Sequence, residues 1–127
     1  MPSESPLAKK LLLTEKMQAR FINTPAGFWH DFGRLPKGVA LQSGGRDTAD
    51  WVLVFAKTGV ELLEHGPGAL ESLRPGGILW AAFPKKKKKQ TTLTSDSGWV
   101  AISDEGFEPA GTVNIDDEWT AMRWKPV

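Results

Sequence analysis

The sequence contains no cysteine among its 127 residues. Without a thiol, the chain has no disulfide framework, no thiolate nucleophile and no thiolate metal site. Long hydrophobic runs are absent as well, since nothing approaches the roughly 18 apolar residues that a membrane span requires. The apolar run near the N-terminus is only Leu11–Leu13, which is too short for a signal peptide. These absences predict a soluble, cytoplasmic protein with no membrane association.

A strong excess of one charge is also missing. The chain has 16 basic and 15 acidic residues and a formal net charge of +1. A dedicated nucleic-acid binder normally carries a marked basic excess, so a nucleic-acid partner is not expected. The hydrophobic fraction of 40% is ordinary for a globular protein. We expect a single α/β domain over residues 1–127, with residues 1–5 as a flexible terminus.

Two near-continuous apolar runs dominate the middle of the sequence. They are Asp50–Ala56 and Ile78–Phe83, and such runs are typical of central parallel strands that are covered on both faces. Two shorter strands are predicted upstream, at Ala19–Asn23 and Val39–Gln42. The segment LRPGG, directly before the second long run, combines a proline with two glycines and is typical of a turn.

Helix signals separate these strands. Ser5-Pro6 and Thr24-Pro25 each combine a capping residue with proline at the first helical position. Thr58 and Glu61 form a capping-box pattern at the start of another helix. The Gly66–Gly68 stretch, which contains a proline, should break or restart that helix. A last helix is predicted around Ser95–Asp104.

The C-terminal part has two more strand-like segments. Phe107–Ile115 and Trp119–Lys125 are separated by only three acidic residues, so they should pair as a hairpin. Strands that alternate with helices predict right-handed crossovers and a parallel sheet. The expected fold is therefore a three-layer α/β sandwich with a mostly parallel, Rossmann-like sheet and a C-terminal antiparallel hairpin strand.

These segments resemble the class I S-adenosylmethionine-dependent methyltransferases. The best match is Asp50–Phe83, an Asp-led apolar strand followed by a helix and by LRPGG before a further strand. The hairpin from Gly106 to Lys125 is also similar to the end of that fold. A closer resemblance is to an uncharacterised group of small bacterial proteins with GGxxW, a strand that ends in Pro-Lys, and a closing segment like Asp117–Arg123. The resemblance implies a reduced methyltransferase-like domain.

The chain departs from the methyltransferase pattern where those enzymes hold their cofactor. The stretch Ile22–Gly27 has one glycine and no acid where the family has a glycine-rich loop. Pro25 removes an amide donor from the same stretch. The second strand ends in Gln42 instead of a carboxylate, with Asp47 as a loose substitute, and only seven residues separate Gln42 from Asp50. We therefore expect no cofactor, with S-adenosylmethionine as the disfavoured alternative.

The sequence identifies no catalytic residue and no metal site. His30 and Asp31 are adjacent, and neighbouring helical residues point in different directions, so they cannot form a relay. His65 is isolated. The acidic turn Asp116–Glu118 has oxygen ligands for a cation, but solvated carboxylates in a hairpin turn explain it better. No phosphate-loop, nucleophile-elbow or HExxH motif is present.

A group of basic and polar residues is predicted at the carboxyl edge of the sheet. In open parallel sheets, ligands bind outside the carboxyl ends of the strands. The run Lys85–Lys89 follows one central strand there, and a helix N-terminus adds partial positive charge. The candidate anion-binding residues are Asn23, Thr24, Gly27, Arg46, Lys57, Lys85 and Lys86. The alternative for the lysine run is a solvated loop.

Three functions remain open at this stage. The preferred one is a non-catalytic, methyltransferase-like domain that binds a protein partner or a phosphorylated small molecule at the basic edge. The second is a reduced but active methyltransferase, which rests on fold analogy alone. The third is a nucleic-acid binder that uses the lysine run for phosphate contacts. The sequence leaves the ligand, the partner and the oligomeric state open.

Overall fold

A computed structural model describes residues 10–24, 37–41, 48–84, 100–115 and 119–126. Within these ranges, six strands form one mixed sheet, and two helices lie between strands along the chain. The strands are β1 (Gln18–Ile22), β2 (Ala40–Leu41), β3 (Ala49–Phe55), β4 (Leu73–Pro84), β5 (Phe107–Asn114) and β6 (Trp119–Pro126). The helices are α1 (Gly59–Ser72) and α2 (Val100–Ser103). The order of strands across the sheet is β2-β1-β3-β4-β6-β5.

The centre of the sheet is parallel, as predicted. Strand β1 pairs with β3 so that Phe21 lies opposite Leu53, and β3 pairs with β4 so that Val52 lies opposite Leu79. Residues 51–55 of β3 are all buried, because packing elements cover both faces of this strand. The two continuous apolar runs therefore form adjacent central strands.

The C-terminal strands confirm the predicted hairpin. Strand β6 runs antiparallel to both β4 and β5, with Trp119 opposite Pro84. Strand β5 lies at the edge of the sheet, and its pairing shifts register between Pro109 and Thr112. Gly111, within that shift, has a φ of +135°, which favours glycine. A proline and a bulge on an edge strand hinder further strand pairing.

Each face of the sheet carries its own hydrophobic cluster. On one face, α1 packs through Leu62 and Ala69, and α2 packs through Ile102. On the other face, the segment before β1 contributes Leu11 and Leu13, which are both buried. The α/β layering predicted from the sequence is thus present in the described residues.

The segment before β1 is held by two tryptophan side chains. The indole nitrogens of Trp51 and Trp80 both donate to the backbone carbonyl of Leu11, each at 2.7 Å. Buried indole N–H groups need an acceptor, and one carbonyl oxygen has two lone pairs to accept both. Leu12 and Lys16 in this segment have φ angles of +64° and +66°. The hydrogen bonds and the buried leucines therefore hold a backbone that L-residues rarely adopt.

The predicted break at Gly66–Gly68 is wrong, because α1 is continuous from Gly59 to Ser72 with Pro67 inside it. Proline removes the hydrogen bond to the carbonyl four residues earlier, which here belongs to Leu63. Both Pro67 and Leu63 lie on the exposed side of the helix. Water can solvate the freed carbonyl there, and the buried side of the helix keeps its packing.

The LRPGG segment forms a long bulge within β4 and is not a separate turn. Leu73 pairs with Ala49 and Ile78 pairs with Trp51, so β4 has more residues than β3 between these two pairs. Gly76 has a φ of +81° in this bulge. The glycine signal for positive φ was correct, but continued pairing of Leu73 makes the segment part of the strand.

Several predicted elements lie outside the described residues. They include the helix predicted to begin at Thr24-Pro25, the run Lys85–Lys89 and the acidic turn Asp116–Glu118. The helix predicted around Ser95–Asp104 is described only over Val100–Ser103. Neither helix within the described ranges has the length and apolar character needed to cross a membrane.

Candidate functional site

The strand order places a reversal point between β1 and β3. Strand β2, which follows β1 in the chain, lies on one side of β1, whereas β3 and then β4 lie on its other side. In open α/β sheets, the crevice at such a reversal, outside the carboxyl ends of the strands, is where ligands bind. The carboxyl ends that flank it here are Ile22 of β1 and Phe55 of β3.

Asn23 directly follows β1 and connects the two strand ends. Its backbone has a φ of +58°, in the left-handed region that asparagine tolerates better than most residues. The side-chain nitrogen Nδ2 donates to the carbonyl of Phe55 at 2.9 Å and to Oε1 of Glu61 at 3.0 Å. Both partners are acceptors, so the amide orientation is determined and both amide hydrogens are used.

Glu61 reaches this position because α1 begins directly beside it. Thr58 caps the helix, and its hydroxyl accepts a hydrogen bond from the Glu61 amide at 3.2 Å. In a full capping box, the glutamate side chain would return to the amide of the capping residue. Here the Glu61 carboxylate contacts Asn23 instead. The helix start therefore places a carboxylate at the reversal point between β1 and β3.

The described part of this edge is rich in hydrogen-bond acceptors. Nδ2 of Asn23 has no hydrogen left for a ligand, while its Oδ1 makes no hydrogen bond within the described ranges. The Glu61 carboxylate adds a negative charge beside it. Lys57 follows the end of β3, is exposed, and adds a positive charge to the described part of this edge. Acceptors and a carboxylate suit a ligand that is cationic or carries N–H and O–H donors.

Only part of the predicted anion site falls within the described residues. Asn23 and Lys57 both lie at the carboxyl edge, as predicted, and Thr24 follows Asn23 there. The other members lie outside the described residues: Gly27, Arg46, Lys85 and Lys86. Asn23 differs from the prediction in its chemistry, because its donors are consumed by Phe55 and Glu61 and it offers an acceptor instead.

Glu61 was recognised from the sequence only as a helix-capping residue. The Thr58–Glu61 pattern gave the start of α1 correctly. The same sequence pattern can mark a helix cap and a site residue. The reason is that the first turn of a helix that follows a parallel strand lies at the carboxyl edge of the sheet. The contact between Glu61 and Asn23 spans 38 positions in the chain, so no local pattern reveals it.

The opposite edge of the sheet carries a structural cluster. The Asp50 carboxylate accepts from the backbone amide of Gln18 at 3.0 Å and from the guanidinium of Arg74 at 2.5 Å. It thereby joins the amino ends of β1, β3 and β4. Gly77 lies in the same place, where a Cβ would stand 2.9 Å from the carbonyl oxygens of Arg74 and Asp50. These contacts support the structural interpretation of LRPGG, since they lie away from the carboxyl edge.

Comparisons with known proteins bear on the fold. No protein-family model matches the sequence, and no curated protein sequence matches it. Among solved structures, the N-methyltransferase NodS from Bradyrhizobium japonicum, in complex with S-adenosyl-L-homocysteine, is similar with a TM-score of 0.62. It is 10% identical, and the match covers 94% of this chain and 83% of that one.

Two further solved structures are similar. A SAM-dependent methyltransferase from Aquifex aeolicus has a TM-score of 0.57 at 14% identity, over 95% of this chain and 88% of that one. A SAM-dependent methyltransferase from Geobacter sulfurreducens, also in complex with S-adenosyl-L-homocysteine, has a TM-score of 0.56 at 13% identity. That match covers 95% of this chain and 89% of the other. At these identities the likeness shows the fold alone: a Rossmann-like, methyltransferase-like α/β fold.

Proposed function

We propose that this chain is a reduced S-adenosylmethionine-dependent methyltransferase whose cofactor binds at the carboxyl edge between β1 and β3. The observation that carries the proposal is the Asn23–Glu61 contact at the reversal point of a methyltransferase-like sheet. It makes that edge acceptor-rich in a fold whose solved relatives include methyltransferases in complex with S-adenosyl-L-homocysteine. The proposal favours the second of the three functions that the sequence left open.

The chemistry of the edge fits this cofactor. S-adenosylmethionine carries a positively charged sulfonium and an ammonium group, together with ribose hydroxyls that donate hydrogen bonds. Asn23 Oδ1 and the Glu61 carboxylate are suitable acceptors for such groups. When bound, the cofactor supplies an electrophilic methyl group. The residues of this chain would orient it and neutralise its charge.

A second candidate is the non-catalytic domain with an anionic ligand. The sequence from Ile22 to Gly27 favours it, because one glycine replaces the glycine-rich loop on which the methyltransferase cofactor usually lies. Lys57, exposed at the same edge, would supply attraction for a phosphate. Asn23 argues against it, since both of its amide hydrogens are already used within the protein.

Isothermal titration calorimetry separates the two candidates. The full chain is titrated with S-adenosylmethionine, with S-adenosyl-L-homocysteine and with inorganic phosphate at the same ionic strength. We expect saturable binding of S-adenosylmethionine with a dissociation constant in the micromolar range, and no measurable heat from phosphate. Among the described residues of this edge, the acceptors would repel phosphate, and the exposed Lys57 gives an attraction that salt largely screens.

The opposite pattern would overturn the proposal. Saturable phosphate binding without S-adenosylmethionine binding would favour the second candidate, the non-catalytic domain with an anionic ligand. Absence of binding for all three compounds would contradict the proposal and would give no support to an anionic ligand. Binding is measured directly, so the result does not depend on knowing the methyl acceptor.

A further inference from the structure

The carboxylate of Glu61 has a consequence for the two forms of the cofactor. It lies at the reversal point between β1 and β3, where Oε1 accepts from Asn23 at 3.0 Å. Its second oxygen makes no hydrogen bond within the described part of the chain. Glu61 is half-buried, so water screens its charge only in part. The edge thus carries a fixed negative charge that a bound ligand would face.

We propose that Glu61 makes this site prefer S-adenosylmethionine over its demethylated product. This inference rests on the proposed function and names the residue that determines specificity between the two cofactor forms. Methyl transfer breaks the bond between sulfur and the methyl carbon, and the electron pair of that bond stays on sulfur. The methyl acceptor contributes the pair for the new bond and then releases a proton to water. The sulfonium cation thereby becomes a neutral thioether.

Glu61 would interact differently with the two cofactor forms because their charges differ. S-adenosylmethionine carries one more positive charge than S-adenosyl-L-homocysteine, while the two share every other polar group. A half-buried carboxylate at the same edge favours the cation about threefold to tenfold in binding, given partial solvent screening. Loss of that attraction after transfer would weaken product binding and assist product release.

Other charged groups on the described edge modulate this preference. Lys57 precedes the start of α1 and is exposed at the same edge, where its positive charge opposes that of the sulfonium. Glu64 lies further along α1 with its side chain 71% exposed, beside His65. Glu64 therefore has the same charge as Glu61 and lies three residues further along the same helix, and its exposed side chain is better screened by water.

The test compares two variants with matched charge changes. Glu61→Gln removes the charge but keeps a carbonyl oxygen that can accept from Asn23, so the local structure is retained. Glu64→Gln removes one charge from the exposed face of the same helix. Calorimetry gives the dissociation constants of both cofactor forms for the wild type and each variant. The ratio of the two constants is the readout, because it cancels general losses of stability or folding.

We expect the preference for S-adenosylmethionine to fall about threefold to tenfold in Glu61→Gln and to stay unchanged in Glu64→Gln. An unchanged ratio in Glu61→Gln, with both forms still bound, would overturn the inference and leave the proposed function intact. An equal fall in both variants would also overturn it, since the effect would then come from the net charge of the helix. Failure of the wild type to bind either form would instead contradict the proposed function itself.

Discussion

Asn23 combines a backbone role and a side-chain role at the end of β1. Its positive φ turns the chain out of the strand. Its side-chain amide donates hydrogen bonds both to the end of β3 and to the first turn of α1. Asparagine suits both tasks, because its short side chain tolerates the left-handed region and carries two amide hydrogens. At the scale of single residues, this position determines the polarity of the candidate site.

Two substitutions separate those roles. Asn23→Ala loses both hydrogen bonds and places a β-carbon in the left-handed region, so we expect it to destabilise the protein by about 2 kcal/mol. Asn23→Gly loses the same bonds without the steric cost. It should therefore be more stable than the alanine variant by about 1 kcal/mol. Urea unfolding curves for the three proteins measure both differences, and a glycine variant no more stable than the alanine variant would contradict the backbone role.

At the scale of elements, β4 and α1 use glycine in opposite ways. In the bulge of β4, Gly77 lies against backbone atoms of Arg74 and Asp50. In α1, Gly68 has no atom within 4 Å of the position where a Cβ would be. One glycine is required by close backbone contact, and the other is only a weak helix former inside a continuous helix.

Alanine at these two positions should change stability with opposite signs. Gly77→Ala forces backbone atoms apart, since its Cβ would lie 2.9 Å from two carbonyl oxygens, and should cost about 2–3 kcal/mol. Gly68→Ala should stabilise the protein by about 0.5–1 kcal/mol through helix propensity and a less flexible unfolded chain. Chemical denaturation of both variants is the measurement. Tolerance of alanine at Gly77 would mean that the bulge rearranges freely.

At the scale of the whole molecule, the two central parallel strands were predictable because their signals are strong and local. Runs such as Val52–Val54 and Leu79–Ala81 are apolar on both faces, which only a covered central strand requires. The break expected at Pro67 was wrong, because exposure on the outer side of α1 decides whether a helix tolerates proline. Exposure depends on tertiary packing, and the local Gly66–Gly68 sequence carries no information about packing.

The positions of Asn23 and Lys57 were predictable from the sequence, but the contacts of Asn23 were not. The rule that ligands bind beyond the carboxyl ends of parallel strands identified Asn23 and Lys57 as residues of that edge. The sequence does not reveal that the Asn23 amide turns its hydrogens toward Phe55 and Glu61. Such long-range contacts depend on the register of β1 against β3, so the polarity of the edge required the structure.

We propose that S-adenosylmethionine binds at the carboxyl edge between β1 and β3. The most direct test is an NMR titration of the ¹⁵N-labelled protein, in which amide shifts are followed as the cofactor is added. We expect the largest changes at Asn23, Thr24 and Lys57–Glu61, with little change at Asp50 and Gly77 on the opposite edge. Changes centred on the opposite edge, or none at saturating cofactor, would contradict it.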